Sequence, residues 1–436
     1  MTKIDRDGFT TNLGVLVATL GSAVGLGNIW KFPSLTGTNG GAGFLLVYLA
    51  ATMLVGLPVM IAETMLGRTA RADAVTSFEI LAPRGQWEWK AIGWMGCAAA
   101  LLIMAFYSEV AGWVYAYVFK AVSGEVSTVD PKVAGAAFAK LVSSPLTVLA
   151  WQWVVLAVTG GVIMCGVSKG IEAVTLRLVP LLFILLVALC VRSLTLDGAG
   201  RGLGFLFQPD FAKITPAVAL TALGLAFFKL SLGMGTMLTY GSYFRDDQNI
   251  PWTATRVMLA DLSVSLLAGV AIFPAVFTFG FEPAAGPSLV FMTIFFLITA
   301  IASVGAILSL IEVPVAVLSE RYGLGRKQAA LATIAAIALL GVPASLSQSL
   351  MAHVAIFGLN PFDLFDFASS NVLLPLGGIL ICLFVGWVYG FDKTARSLSN
   401  HGELNNRGLI KAVFFLIRFI APLSIAIVLL NGLKLI

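Results

Sequence analysis

The chain has 436 residues, of which 59% are hydrophobic and only 11% charged, and its mean hydropathy is +0.96. A water-soluble core of this length cannot hide so much apolar surface, so lipid is the expected solvent for most of the chain. Four isolated cysteines, two histidines in polar connections and no basic run argue against a disulfide framework, a metal cluster, an enzyme centre and a nucleic-acid-binding surface.

The N-terminal "MTKIDRDGFTTNLG" is short and mixed in charge, and the apolar stretch after it is longer than a signal-peptide core, so it reads as mature protein. Membrane-crossing segments are expected at 10–33, 43–66, 92–119, 148–166, 174–193, 216–241, 255–280, 289–318, 328–347, 366–390 and 410–432, eleven in all. Alternate connections hold seventeen Lys and Arg on one side and eight on the other. This asymmetry places the N-terminus in the cytoplasm and, by odd parity, the C-terminus outside. The longest outer connection contains "PKVAGAAFAKLV", a short surface helix by pattern. The whole reads as one all-α polytopic domain.

Two spans carry breaks. Gly21, Gly25, Gly27 and Asn28 crowd the first; Gly224, Ser231, Gly233 and Gly235 crowd the sixth. Backbone released from helix at membrane depth is tolerated only where protein or a cavity satisfies it. Paired breaks five spans apart point to a binding site made of interrupted helices. Close helix packing through small residues is the alternative for either segment alone.

The motifs "GSAVGLGNIWKFP" (21–33), "NGGAGFLLVYL" (39–49), "GLPVMIAE" (56–63), "AGWVYAY" (111–117) and "LSLGMGTMLTYGSYF" (230–244) occur in an order that resembles the neurotransmitter:sodium symporter family. The resemblance is to its bacterial eleven-span amino-acid transporters of the inner membrane. It implies the leucine-transporter fold: a five-plus-five inverted repeat (about 10–193 and 216–390) with broken helices 1 and 6, plus an extra helix at 410–432. It also implies an amino-acid site at mid-membrane. Ala23, Leu26 and Gly27 would contribute from span 1, Ile103 and Tyr107 from span 3, Phe228, Ser231, Met234 and Gly235 from span 6, and Ala306 and Leu310 from span 8. The Tyr107 hydroxyl would meet the substrate carboxylate, and half-helix ends suit both an anion and a cation. The apolar lining suits a neutral aliphatic or aromatic amino acid. Without the resemblance, Phe228, Met234 and Leu310 read as ordinary packing. The resemblance also implies an outer gate of Lys31 and Asp366, an inner gate of Arg6 and Glu320 with Tyr243 nearby, and Glu63 as a support for unwound span 6. Glu109 and Glu312 are unexplained by this scheme; either could face water or take part in proton movement.

The chain departs from the family pattern at its cations. The first sodium site would use Ala23, Asn28, a span 6 hydroxyl and Asp261, but Lys229 stands at the hydroxyl position. An ammonium there would take the place of the ion. A lone buried ammonium costs about 2.5–3.5 kcal/mol on insertion scales, which an acid such as Asp261 offsets. Sodium beside it would meet repulsion of about 4 kcal/mol at ~4 Å and an effective dielectric of ~20. The second sodium site would use backbone of Gly21, Val24 and Ala302 with two hydroxyls, where Gly305 and Ala306 stand instead. The chloride-region glutamine is Leu225, although Tyr48 and Ser265 remain. No redox or organic cofactor is expected. Na⁺ symport, H⁺ coupling through a lysine that exchanges its proton, exchange and uniport all stay open, as does a non-transporting amino-acid sensor. The oligomeric state is not legible.

Overall fold

The computed structural model describes residues 7–123, 125, 131–278 and 289–435. It is helical throughout, and no β-sheet occurs among the described residues. In chain order the helices are α1 (Asn12–Ala23), α2 (Gly27–Thr38), α3 (Ala42–Ala70), α4 (Ala74–Leu81), α5 (Trp87–Val122), α6 (Pro131–Val142), α7 (Pro145–Met164) and α8 (Val167–Leu194). They continue with α9 (Ala199–Phe207), α10 (Pro216–Lys229), α11 (Thr236–Gly241), α12 (Ile250–Thr278), α13 (Leu289–Glu320), α14 (Arg326–Ser345), α15 (Pro361–Tyr389), α16 (Phe391–Leu398) and α17 (Arg407–Gly432).

Nine helices among the described residues are long and apolar enough to cross a bilayer. α1 and α2 together form a tenth such segment, bent by 53°. α10 and α11 are each shorter, and Leu230–Gly235 separates them. The surface helix expected in the 120–147 connection is α6.

The helix starts follow local chemistry. Thr11 accepts from the Gly14 N–H, Asp73 from those of Val75 and Thr76, and Thr215 from that of Val218, with Pro216 just inside α10. The interior helices are α5 and α13, which pack on each other; 67% of the most apolar window of each is buried, against 28% in α17. Apolar side chains such as Trp153, Ile184, Leu339 and Leu423 point outward, as a lipid solvent requires. α12 packs on α1, α8 and α9, while α3 packs on α11. The two breaks, at Val24–Gly25 and at Leu230–Gly235, thereby fall inside the bundle.

Candidate functional site

The second break is built into the backbone. Ser231, Gly233 and Gly235 have φ of +55°, +78° and +78°. A Cβ at Gly233 would lie 2.3 Å from the Leu374 carbonyl oxygen, so glycine is needed there twice over. The Gly233 N–H donates to Glu63 Oε1 at 2.7 Å, and Ser231 Oγ donates to the Ser22 carbonyl at 3.0 Å, tying one break to the other.

Lys229 ends α10, and its stem passes Gly27, where an added Cβ would come within 3.2 Å of Lys229 Cγ. Its Nζ donates to the Tyr48 hydroxyl at 2.7 Å, to Asp261 Oδ2 at 3.0 Å and to Ser265 Oγ. The rings of Phe32 and Tyr48 lie 5.3 and 4.9 Å from Nζ. Asp261 and Ser265 stand one turn apart on α12. Both Lys229 and Asp261 side chains are wholly buried. An ammonium has three N–H donors, and here all three have acceptors, one of them a carboxylate. Asn28 completes the cluster from α2: its Nδ2 donates to Asp261 Oδ1 at 2.6 Å, and its own Oδ1 accepts from the Gly25 N–H at 3.2 Å. The amide therefore presents hydrogens, not an oxygen, to this cluster.

Beside the ammonium cluster lies a cavity of about 240 Å³ walled by Leu26, Gly27, Phe106, Tyr107, Val110 and Phe228. The Tyr107 hydroxyl accepts from the Leu26 N–H at 2.9 Å, which leaves its own proton to donate. Lys31 and Asp366 line the same cavity, yet no ion pair joins them among the described residues. Lys31 Nζ sits 4.2 Å over the Phe228 ring, and Asp366 Oδ1 accepts from Ser370 Oγ at 2.7 Å.

The opposite end of the bundle is closed. Arg326 grips Glu312 in two parallel bonds of 2.7 and 2.6 Å and donates to the Ile163 carbonyl at 3.0 Å. The Tyr243 hydroxyl donates to Glu312 Oε1 at 2.7 Å. Phe9 packs edge-on against Tyr240, Tyr243 and Phe244. Glu172 accepts from the N–H groups of Thr10 and Thr11, and Asp7 from that of Val167, so the N-terminal segment is latched across the start of α8. Nearby, Arg321 pairs with Glu79 at 2.9 Å, and that hydrogen bond holds the Glu79 carboxyl below its usual range.

Around Gly21 and Gly305, α1 and α13 touch backbone to backbone: a Cβ at Gly305 would lie 2.4 Å from the Gly21 carbonyl oxygen. No hydroxyl stands at 305 or 306, and Ser303 Oγ is spent on the Ala300 carbonyl at 2.7 Å.

Known proteins resemble the chain over most of its length. The sequence profile of the Sodium:neurotransmitter symporter family matches residues 6–130 and 140–286. YhdH of Bacillus subtilis (strain 168), named as an uncharacterized sodium-dependent transporter, is 40% identical over 97% of both chains. The chain belongs to the sodium:neurotransmitter symporter family. In this family a human relative, the sodium-dependent neutral amino acid transporter SLC6A17, is 28% identical over 62% of this chain and 40% of its own. The crystal structure of MhsT in complex with L-phenylalanine superposes with a TM-score of 0.87 at 43% identity, covering 98% of this chain and 100% of that one. The protein thus has the leucine-transporter fold and is a membrane transporter, not an enzyme.

Of the family positions for substrate, Leu26, Gly27, Tyr107 and Phe228 line the cavity. Ala23, Ile103, Ser231, Met234, Ala306 and Leu310 are buried and do not line it, and Ala306 Cβ would stand 3.0 Å from a Cβ at Gly25. Gly235 faces Val313, Ala74 and Gly96 instead. Val24 and Ala302 are buried near the Gly21–Gly305 contact in sequence and contribute no side-chain oxygen. Arg6 lies outside the described residues, and Glu320 ends α13. Glu312, expected to face water or move protons, is instead clamped by Arg326 and Tyr243. Glu109 Oε2 is buried with no hydrogen-bond partner among the described residues. The sequence reading missed Arg326, Glu172 and Asp7; Glu172 and Arg326 each sit by a span end, where a charge normally reads as solvated.

Proposed function

We propose that the protein is a secondary transporter of neutral amino acids, aliphatic or aromatic, working by alternating access, with the Lys229 ammonium in place of the first sodium ion. The observation that carries the cation reading is the saturated ammonium: three acceptors, a carboxylate among them, surround Nζ. An ion beside it would face like-charge repulsion of about 4 kcal/mol at ~4 Å. The Asn28 oxygen is engaged by Gly25. At the second position the close approach of Gly21 and Gly305 and the missing hydroxyls leave a poor oxygen cage. On this reading the chain is sodium-independent and works as a proton-coupled carrier, an exchanger or a uniporter.

For the substrate, the largely apolar cavity and the donor-ready Tyr107 hydroxyl suit an α-carboxylate with an apolar side chain. MhsT, bound to L-phenylalanine, is a near neighbour in fold and sequence. With the N-terminus in the cytoplasm of a bacterial-type inner membrane, eleven spans and an inverted repeat of 10–193 and 216–390, the closed Arg326 end faces the cell. The cavity with unpaired Lys31 and Asp366 then faces outward.

A second reading keeps sodium: Lys229 swings aside during the cycle, and Asp261, Asn28 and backbone carbonyls bind the ion. The sodium-dependent naming of YhdH favours it. Uptake into proteoliposomes under separate Na⁺ and pH gradients decides between them. Under the lysine reading uptake ignores the Na⁺ gradient, and Lys229→Thr gains Na⁺ stimulation; uptake driven only by inward Na⁺ in the unaltered protein rejects it. Counterflow of labelled amino acid separates a carrier from a sensor.

A further inference from the structure

At the closed end lies a second cavity of about 460 Å³, unrelated to the ammonium cluster. Its walls carry Arg68, Arg71, Lys393 and Arg396, with His401 beside them and Asp246 as the one carboxylate. α3 ends there at Ala70 and α15 at Tyr389, so the cavity sits where two spans leave the apolar layer.

Its charges do not balance. Arg71 is paired with Asp246 at 2.5 Å. Arg68 is 7% exposed, and its guanidinium donates to the carbonyls of Gln248 (2.6 Å) and Ser397 and to Asn400 Oδ1 (2.9 Å), all neutral acceptors. Lys393 Nζ lies 5.4 Å from the Tyr389 ring centroid, and Arg396 Nε donates to His401 Nδ1 at 3.2 Å. Among the described residues no carboxylate lies within ion-pair distance of Arg68, Lys393 or Arg396. A buried cation held only by neutral acceptors keeps its full demand for a counter-ion. One such buried cation, Arg68, with the exposed Lys393 and Arg396 on the rim of the same cavity, suits an anion with several oxygens, and guanidinium forks match phosphate.

We propose that this cavity binds a phosphate-bearing group, supplied by an anionic phospholipid headgroup or by soluble phosphate. The bound phosphate bridges the α3 end to α16. Arg68 already joins these elements to the α11–α12 connection through Ser397 and Gln248. It therefore braces the end of the molecule that must open when the carrier releases substrate on that side. A lipid headgroup reaches the cavity directly, because basic pockets at span ends lie at headgroup depth.

The test compares the full chain with Lys393→Gln/Arg396→Gln, which spares the buried Arg68. A control, Arg407→Gln/Lys411→Gln, removes the same charge from exposed positions that do not line the cavity. One arm measures thermal unfolding and native-mass-spectrometric lipid retention in nanodiscs of phosphatidylglycerol with phosphatidylcholine, against phosphatidylcholine alone. The other titrates inorganic phosphate into detergent-solubilised protein. At about 1 kcal/mol per basic side chain, the double variant should hold phosphatidylglycerol roughly 30-fold less tightly, while the control holds it as the unaltered protein does. A response to the lipid alone assigns the headgroup; a saturable response to inorganic phosphate, lost in the double variant, assigns the soluble ion. Equal binding by all three proteins, or an equal loss in the control, overturns the site. Retained amino-acid binding shows that the double variant is folded.

Discussion

Replacing Asp261 with asparagine would keep the shape of the ammonium cluster and remove its only carboxylate. Lys229 Nζ lies 3.0 Å from Asp261 Oδ2, with both side chains shut off from solvent. At that distance the pair attracts by roughly 5 kcal/mol at an effective dielectric of about 20. Truncating one partner of a buried pair costs about 3–5 kcal/mol, because the remaining charge stays buried. Asp261→Asn and Lys229→Thr should therefore each lower stability by about 3–5 kcal/mol. The double variant has no orphaned charge and should recover to within roughly 1–2 kcal/mol of the unaltered protein, a coupling of several kcal/mol. Thermal unfolding of the four purified proteins in one detergent closes the cycle. If the loss in the double variant equals the sum of the single losses, the two groups do not share a buried charge balance, and the lysine account fails with them.

If Tyr107 meets the substrate carboxylate as proposed, Tyr107→Phe should weaken amino-acid binding by about 10- to 100-fold, since it removes that hydrogen bond and orphans the Leu26 N–H; equilibrium binding of labelled substrate reads this. Gly305→Ser should cost about 1–3 kcal/mol by overpacking against the Gly21 carbonyl, with no gain of Na⁺ stimulation; a stable variant stimulated by Na⁺ would show that the helices part readily there. Glu79 has a folded pKa below its unfolded value, so its pairing with Arg321 contributes above the unfolded pKa and is lost as pH falls through the folded one. The unfolding temperature of the unaltered protein relative to Glu79→Gln should hold steady from pH 8 to about 5.5 and converge on acidification below about 4.

Several features of the Lys229 cluster are legible along the chain. A lysine inside an apolar run announces a needed partner, and Asp261 is an acid inside another such run, on the span that follows. The paired glycine breaks likewise declare themselves, because glycine clusters in long helices at known cost. The resemblance to the family places both in one site. Tyr48 and Ser265 were visible only as chloride-region positions. Their part in saturating the ammonium depends on how α3 and α12 rotate toward α10, which no local pattern encodes.

Composition, periodicity and charge asymmetry are properties of single segments in lipid, and the amino-acid sequence alone determines them: an all-helical membrane protein with two interrupted helices and a cation where a hydroxyl is usual. Tertiary structure decided the rest. The Asn28 oxygen turns to Gly25, Glu312 meets Arg326, Gly21 meets Gly305, and Arg68 lies beside Lys393 and Arg396. The Gly21–Gly305 and Arg68–Lys393 approaches depend on ångström-level register between helices far apart in the chain, while the Asn28–Gly25 and Glu312–Arg326 bonds depend on how a local break or turn is held, and the packing of the whole bundle sets both.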